Sequence, residues 1–221
     1  MQEEQNVAYY PVCLDVSNRH CVIIGGGEVA ARKAQRLVQC GARVTVVSRK
    51  LSAEMMGMKE KHTISHIDAD YDAAHLRDAF MVIGATDRNE INESIAGDAR
   101  SLGIMVNIVD DPEHCDFILP SVMNRGDLSI SISTGGKSPA LAKKLRLEME
   151  KRYGPEYAVL LNILGALREK IVAAGASSDE NRKLFEAVLN SDILEAIRDK
   201  DHDRTLQIIR DLTGKEIILE F

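Results

Sequence analysis

The stretch NIVDDPEHCDFILP, residues 107–120, gathers Asp110, Asp111, His114, Cys115 and Asp116 within a few positions. Three readings compete for such a set: a metal site, a proton-transfer site, or an ordinary polar turn between two elements. His114 and Cys115 are adjacent, so in an extended segment their side chains leave on opposite faces and serve one metal poorly. No second Cys/His pair elsewhere would complete a zinc site, so none is expected. Asp111 precedes Pro112 and reads as turn chemistry. Asp110 differs from the rest because it directly follows the apolar run IMVNIV, residues 104–109. A carboxylate at the end of a strand is placed for chemistry.

A second set of residues points to a phosphate-bearing ligand. Gly25, Gly26 and Gly27 follow an apolar run, and Gly25, Gly27 and Ala30 spell GxGxxA. Between a strand and a helix, such glycines permit a tight turn and close approach of a pyrophosphate to the helix amides. The strand before, the helix after and the second strand at the right distance make this a dinucleotide site. The acidic residue usual at the end of the second strand is replaced by Ser48, Arg49 and Lys50. A cation there suits a 2′-phosphate and hints at NADP. The alternative is a solvated strand end, with Ser48 and backbone groups serving the ribose. Thr86 and Asp87, in GATD, close another strand at the same edge and are expected beside the cofactor or at a helix cap. STGGKSP, residues 133–139, lacks the first glycine of a Walker motif, since residue 131 is serine, so ATP chemistry is rejected. It reads instead as a glycine turn entering a helix N-terminus. Thr134, Gly135, Gly136 and Lys137, with Lys143, Lys144 and Arg146 close by, would suit an anionic substrate.

These residues need elements to hold them. HCVIIGGG (20–27) reads as a strand, EVAARKAQRLVQCG as a helix ending at Gly41, and ARVTVVS (42–48) as a second strand, a βαβ unit. Further strands are expected at TISHI (63–67), AFMVIGAT (79–86) and IMVNIV (104–109), with a helix at NEINESIAGDARSLG (89–103). Such alternation predicts an α/β fold, a Rossmann-like doubly wound parallel sheet covered on both faces. After Pro112 the pattern becomes an antiparallel pair, CDFILPS and DLSISIST around the turn NRGD. Ser138 and Pro139 then start a helix as N-cap and first helical residue, running to about Arg152. From Glu156 the period is helical, broken at GASSD and SD. The expected divisions are 1–112, a dinucleotide-binding domain; 113–152, a small β-plus-helix section; and 153–221, a helical C-terminal domain.

Composition narrows the class. Among 221 residues, 45% are hydrophobic and 28% charged, ordinary for a globular protein. Trp is absent and the net charge is −6, which argues against a base-stacking platform or non-specific nucleic-acid binding. The start MQEEQN is the reverse of a signal peptide and no apolar run reaches membrane-span length. A cytoplasmic protein without disulfides is expected.

Taken together, YYPVCLDVSNRHCVIIGGGEVAARKAQRLVQCGARVTVVS, GATDRNEIN, NIVDDPEHCDFILPS and ISISTGGKSPALAKKLR resemble the precorrin-2 dehydrogenase and sirohydrochlorin ferrochelatase family, which includes the N-terminal half of siroheme synthase. The match spans roughly residues 9 to 152 in the family's order and spacing. The resemblance implies NAD-dependent oxidation of the tetrapyrrole precorrin-2 to sirohydrochlorin in siroheme biosynthesis, with insertion of ferrous iron as a second activity in some members. It implies a homodimer whose middle section exchanges contacts between subunits. It places the catalytic aspartate on Asp110, leaving Asp111, His114 and Cys115 structural, and cofactor contacts on Glu28, Val29, Arg49 and Lys50. It favours NAD over the NADP hint from Arg49. Thr134 stands where some relatives carry a phosphorylatable serine. The methyltransferase domain of the fused relatives has no counterpart, so this chain is not expected to make precorrin-2. An alternative of another class is a non-catalytic NAD-sensing domain, which would share the glycine loop but not need the β-pair, STGGKSP and basic helix.

Overall fold

Four short apolar runs form the body of a parallel sheet because each is too apolar to lie on a surface, and a short, largely exposed strand, SHI, completes one edge. The computed structural model describes residues 9–173 and 177–217, without the side chains of 172 and 173. The MQEEQN start and part of the GASSD break lie outside the described residues. In chain order the elements of the first unit are β1 (His20–Ile24), α1 (Glu28–Gln39), β2 (Arg43–Val47), α2 (Ala53–Glu60), β3 (Ser65–Ile67), β4 (Met81–Gly84), α3 (Asn89–Leu102) and β5 (Met105–Ile108). All sheet pairs are parallel and the order is β3-β2-β1-β4-β5, a doubly wound arrangement whose order reverses between β1 and β4.

The two-residue period of the strands divides the core. Ile23, Val44, Val46 and Ile83 pack with Ala30, Ala31 and Ala34 of α1 and Met55 of α2. Val22, Ile24, Val82, Val106 and Ile108 pack with Ile95, Ala96 and Ala99 of α3. Small alanines on α1 let that helix lie close against the strands, and the strand ends are thereby fixed.

The chain divides into two compact units, Met1–Leu119 and Pro120–Phe221. In the second, β6 (Ser121–Arg125) and β7 (Leu128–Ile132) form an antiparallel hairpin, followed by α4 (Pro139–Arg152), α5 (Glu156–Ala173), α6 (Ser178–Leu189), α7 (Ile193–Arg198) and α8 (His202–Thr213). The hairpin differs from the sequence expectation. Arg125 pairs with Leu128 across the two-residue turn Gly126-Asp127, so Asn124 and Arg125 are strand and not turn. Gly126 has φ of 57°, the conformation that the first position of such a turn needs. Nor are residues 115–119 part of the pair. Asp116 instead binds the edge strand β5, its N–H donating to Val106 O (2.8 Å) and its carboxylate accepting from Val106 N (3.0 Å).

Ser138 caps α4 as expected, its hydroxyl accepting from Leu141 N at 3.2 Å. At the other end Arg125 donates to Glu150 O and Tyr153 O, satisfying carbonyls the last turn leaves open. Leu160, Ile163, Leu167, Val188, Ile193 and Ile209 form the helical core. No helix of the described residues is long and apolar enough to cross a membrane.

Candidate functional site

The carboxyl end of the parallel sheet carries the glycine loop, the GATD loop and the Asp110 loop, on β1, β4 and β5. Gly25 leaves β1 with φ of 121°, donates to Val47 O at 3.0 Å, and a Cβ there would lie 2.3 Å from Ala85 O. At Gly26 a Cβ would lie 1.9 Å from Lys50 O, so the loop after β2 presses directly on this backbone. Gly27 is different: it is the N-cap of α1, has ordinary φ, and an added Cβ would meet nothing within 4 Å. The open space lies at the helix N-terminus, where no side chain caps the first amides. Glu28 and Val29 supply the first of those amides. This is the cradle a pyrophosphate needs, and the residues present fit a dinucleotide.

At the end of β2, the Ser48 hydroxyl donates to Lys50 O at 2.7 Å and shapes the turn. Arg49 donates to Asp68 O and to the Asp70 carboxylate, both at 3.2 Å, and lies 3.6 Å from the Asp68 carboxylate. The Asp70 hydrogen bond and charge push the guanidinium's pKa further up. These two carboxylates follow β3, and neither was singled out in the sequence. They neutralise the cation that hinted at a 2′-phosphate.

In the GATD loop, Asn92 of α3 is buried, its amide donating to Thr86 O at 3.2 Å and its oxygen accepting from the Thr86 hydroxyl at 2.8 Å. Thr86 therefore secures the entry into α3. Asp87 is exposed and does not cap the helix; Arg88 occupies the N-cap position, without a side-chain cap.

The cluster after β5 separates into scaffold and one carboxylate. Asp111 Oδ2 and His114 Nδ1 are 2.7 Å apart across a single 3-10 turn, Pro112–His114. Cys115 Sγ accepts from Ile108 N (3.1 Å) and reaches Ile108 O and Asp111 O, closing the loop on itself. Burial pushes this thiol's pKa up, which suits a structural role. Asn107 donates to Phe117 O at 2.9 Å. Asp116 serves β5, as described above. Asp110 alone of the five is left over. It is exposed, held at φ of 62°, and among the described residues no hydrogen bond or ion pair ends on its carboxylate. Asp tolerates this left-handed conformation better than most residues. Among the described residues no cluster of His, Cys, Asp and Glu is arranged to hold a metal. Burial, and then the charge of Arg32, hold the ammonium of half-buried Lys33 on α1, unremarked in the sequence, below the usual lysine range.

In the second unit the STGGKSP turn is organised by its own hydroxyls. Ser133 accepts from Gly135 N and Thr134 from Ser138 N, each at 3.1 Å, while Lys137 N donates to Thr134 O. Gly135 and Gly136 adopt φ of 60° and 83°. Lys137, Lys143 and Lys144 are exposed. Arg146 is not free to add to them: it is paired with Glu150 one turn on.

Residues 12–121 match the NAD(P)-binding family model, and residues 125–152 match that of the sirohaem biosynthesis protein central segment. Siroheme synthase 1 of Aeromonas salmonicida is 39% identical over 186 residues, 84% of this chain and 40% of that protein. The siroheme synthase of Mannheimia succiniciproducens is 31% identical over 216 residues, 96% of this chain and 45% of its own. The chain thus spans less than half the length of these relatives. Among solved structures, SirC, precorrin-2 dehydrogenase, shares the fold with a TM-score of 0.76 at 23% identity, over 94% of this chain and 100% of that one.

Proposed function

We propose that the chain belongs with the siroheme synthases that it resembles and oxidises precorrin-2 to sirohydrochlorin in siroheme biosynthesis, with NAD as acceptor. The observation that carries this reading is Asp110: a carboxylate without a partner among the described residues, at the edge of the sheet that also bears the dinucleotide cradle. Dehydrogenation of a reduced tetrapyrrole removes a hydride and a proton. NAD, when bound, supplies the two-electron acceptor. The protein's own part is to take the proton, and Asp110 can do so because nothing else on the loop occupies its lone pairs.

Within the cradle the pyrophosphate is assigned to the space at Gly27 and the amides of Glu28 and Val29, with Gly25 and Gly26 shaping the turn. Thr86, Asp87 and the backbone of Arg49 and Lys50 border the cofactor. Asp68 and Asp70 favour NAD over NADP, because a 2′-phosphate near Arg49 would meet two carboxylates already paired with it.

The substrate is a polycarboxylate. Thr134, Gly135, Gly136, Lys137, Lys143 and Lys144 are proposed to receive its carboxylates, which gives an acidic protein a reason to display exposed lysines beside a glycine turn. A homodimer and a cytoplasmic setting belong to the same proposal. So does a second step in which ferrous iron is a substrate and Asp110 accepts protons from the pyrrole nitrogens. Mixing the purified protein with NAD and precorrin-2 is the direct test. NADH absorbance should rise in step with the sirohydrochlorin spectrum, and a flat NADH trace beside intact binding of NAD would refute the dehydrogenase reading.

A further inference from the structure

The ladder between β2 and β3 ends at the pair Val47 and Ile67. Ser48 N still donates to Ile67 O at 3.1 Å, but Ala69 N turns back to the same carbonyl at 3.0 Å, so the chain leaves the sheet there. The next carbonyl on the β2 side, Ser48 O, lies beyond the ladder and takes its donor from a side chain. His66 Nε2 of β3 is 2.9 Å from it. A carbonyl only accepts, so Nε2 carries the hydrogen that this contact needs. Lys59 of α2, its Nζ 3.2 Å from Nδ1, holds the ring from the other side. His66 and Ser48 are both half-buried, which shields the bond partly from water. Ser48 in turn opens a turn that rests on the glycine loop. Its Oγ donates to Lys50 O at 2.7 Å and accepts from Lys50 N at 3.3 Å. A Cβ at Gly26 would lie 1.9 Å from Lys50 O and 2.6 Å from Ser48 Oγ, so turn and loop leave no space between them. Ser52 N donates to Gly26 O at 2.7 Å and closes the same contact. Close packing transmits displacement, so a shift of Ser48 reaches Gly26. Arg49 also ties this turn to Asp68 and Asp70, but through exposed groups, which water and salt weaken.

We propose that His66 is a positioning residue for the dinucleotide: its Nε2–H fixes the Ser48–Lys50 turn against Gly26, and cofactor affinity depends on that hydrogen bond. The inference rests on the glycine loop being the dinucleotide cradle. It gives β3, a three-residue edge strand, a task in the site. The strand holds the turn, and the turn holds the glycines in the shape that a pyrophosphate needs.

The test is NADH binding, followed by nicotinamide fluorescence, in His66→Ala, His66→Gln, His66→Asn and Gly27→Ala, beside steady-state kinetics with NAD and precorrin-2. One hydrogen bond lost at a half-buried carbonyl is worth about five- to tenfold. His66→Ala should weaken NADH binding and raise KM for NAD by about that factor, with kcat at saturating NAD and KM for precorrin-2 held. The amide nitrogen of Gln reaches the place of Nε2, so His66→Gln should bind like wild type. That of Asn reaches only the place of Nδ1, so His66→Asn should bind like His66→Ala. If His66→Ala melts early, the contrast between Gln and Asn decides alone. Wild-type affinity in His66→Ala and His66→Asn, beside weakened binding in Gly27→Ala, overturns the role of His66 and leaves the cradle standing. Equal losses in the Gln and Asn variants also overturn it, because the position of the donor would then not matter. So does a fall in kcat with KM for NAD unchanged. Full affinity in Gly27→Ala and in all the His66 variants removes both readings.

Discussion

Five polar side chains within seven positions would give five candidate catalysts to anyone reading residues alone. Three-dimensional placement leaves one of them without a partner among the described residues, because the others bond within the loop or, for Asp116, to β5. The sequence distinguishes Asp110 only by its place directly after a strand. It could not show that Cys115 closes the loop on Ile108 and Asp111, since that depends on a turn geometry that spacing does not specify. Nor could it reveal Asp68 and Asp70, which reach Arg49 only because β3 pairs with β2. At Gly27 the structure sharpens an expectation from the motif. An added methyl meets nothing in the protein, so Gly27→Ala should melt at the wild-type temperature. It should nevertheless bind NAD at least about tenfold more weakly, because the methyl enters the space assigned to the pyrophosphate. Paired thermal melts and nicotinamide fluorescence titrations check both halves, and unchanged affinity would remove Gly27 from the cradle.

Elements were legible where period and punctuation agreed. The sheet strands fall on apolar runs, α1 and α3 on helical spacing that ends at a glycine, and α4 starts at a capping residue, Ser138-Pro139. The hairpin was not legible in this way, because CDFILP is apolar enough to read as a strand while Asp116 and Asn107 tie that segment to β5. The helical unit offers a test at this scale. Glu156, at the first turn of α5, meets Arg198 of α7 at 3.0 Å, joining helices remote in sequence. Burial raises the Glu156 carboxyl's pKa, but the hydrogen bond to its own backbone N–H and the charge and hydrogen bond of Arg198 outweigh it, so the net shift is downward. A carboxyl with a lowered folded-state pKa contributes stability above its unfolded value, near 4.5, and loses it as pH falls through the folded one. Arg198→Ala should therefore lower the urea midpoint at pH 7 and show a smaller further drop than wild type on acidification below about pH 4.5. Equal acid sensitivity of the two proteins would show that the pair is not what holds Glu156 ionised.

For the whole molecule, a net charge of −6 coexists with exposed Lys137, Lys143 and Lys144 near one glycine turn. If those cations capture a polycarboxylate, Lys143→Glu with Lys144→Glu should raise the KM for precorrin-2 and flatten its dependence on salt. NAD affinity should stay constant, with sedimentation confirming an unchanged state of association. An unchanged KM at low salt would make them solvated helix residues only. The account as a whole turns on Asp110 as the group that takes the substrate's proton while a hydride leaves. The most direct measurement is the single-turnover rate of NADH formation from precorrin-2 in Asp110→Ala, beside Asp111→Asn as control. Loss of general-base catalysis predicts a fall of about 10² or more in Asp110→Ala, with NAD affinity and folding intact and the control close to wild type. A near-normal rate in Asp110→Ala would contradict the account.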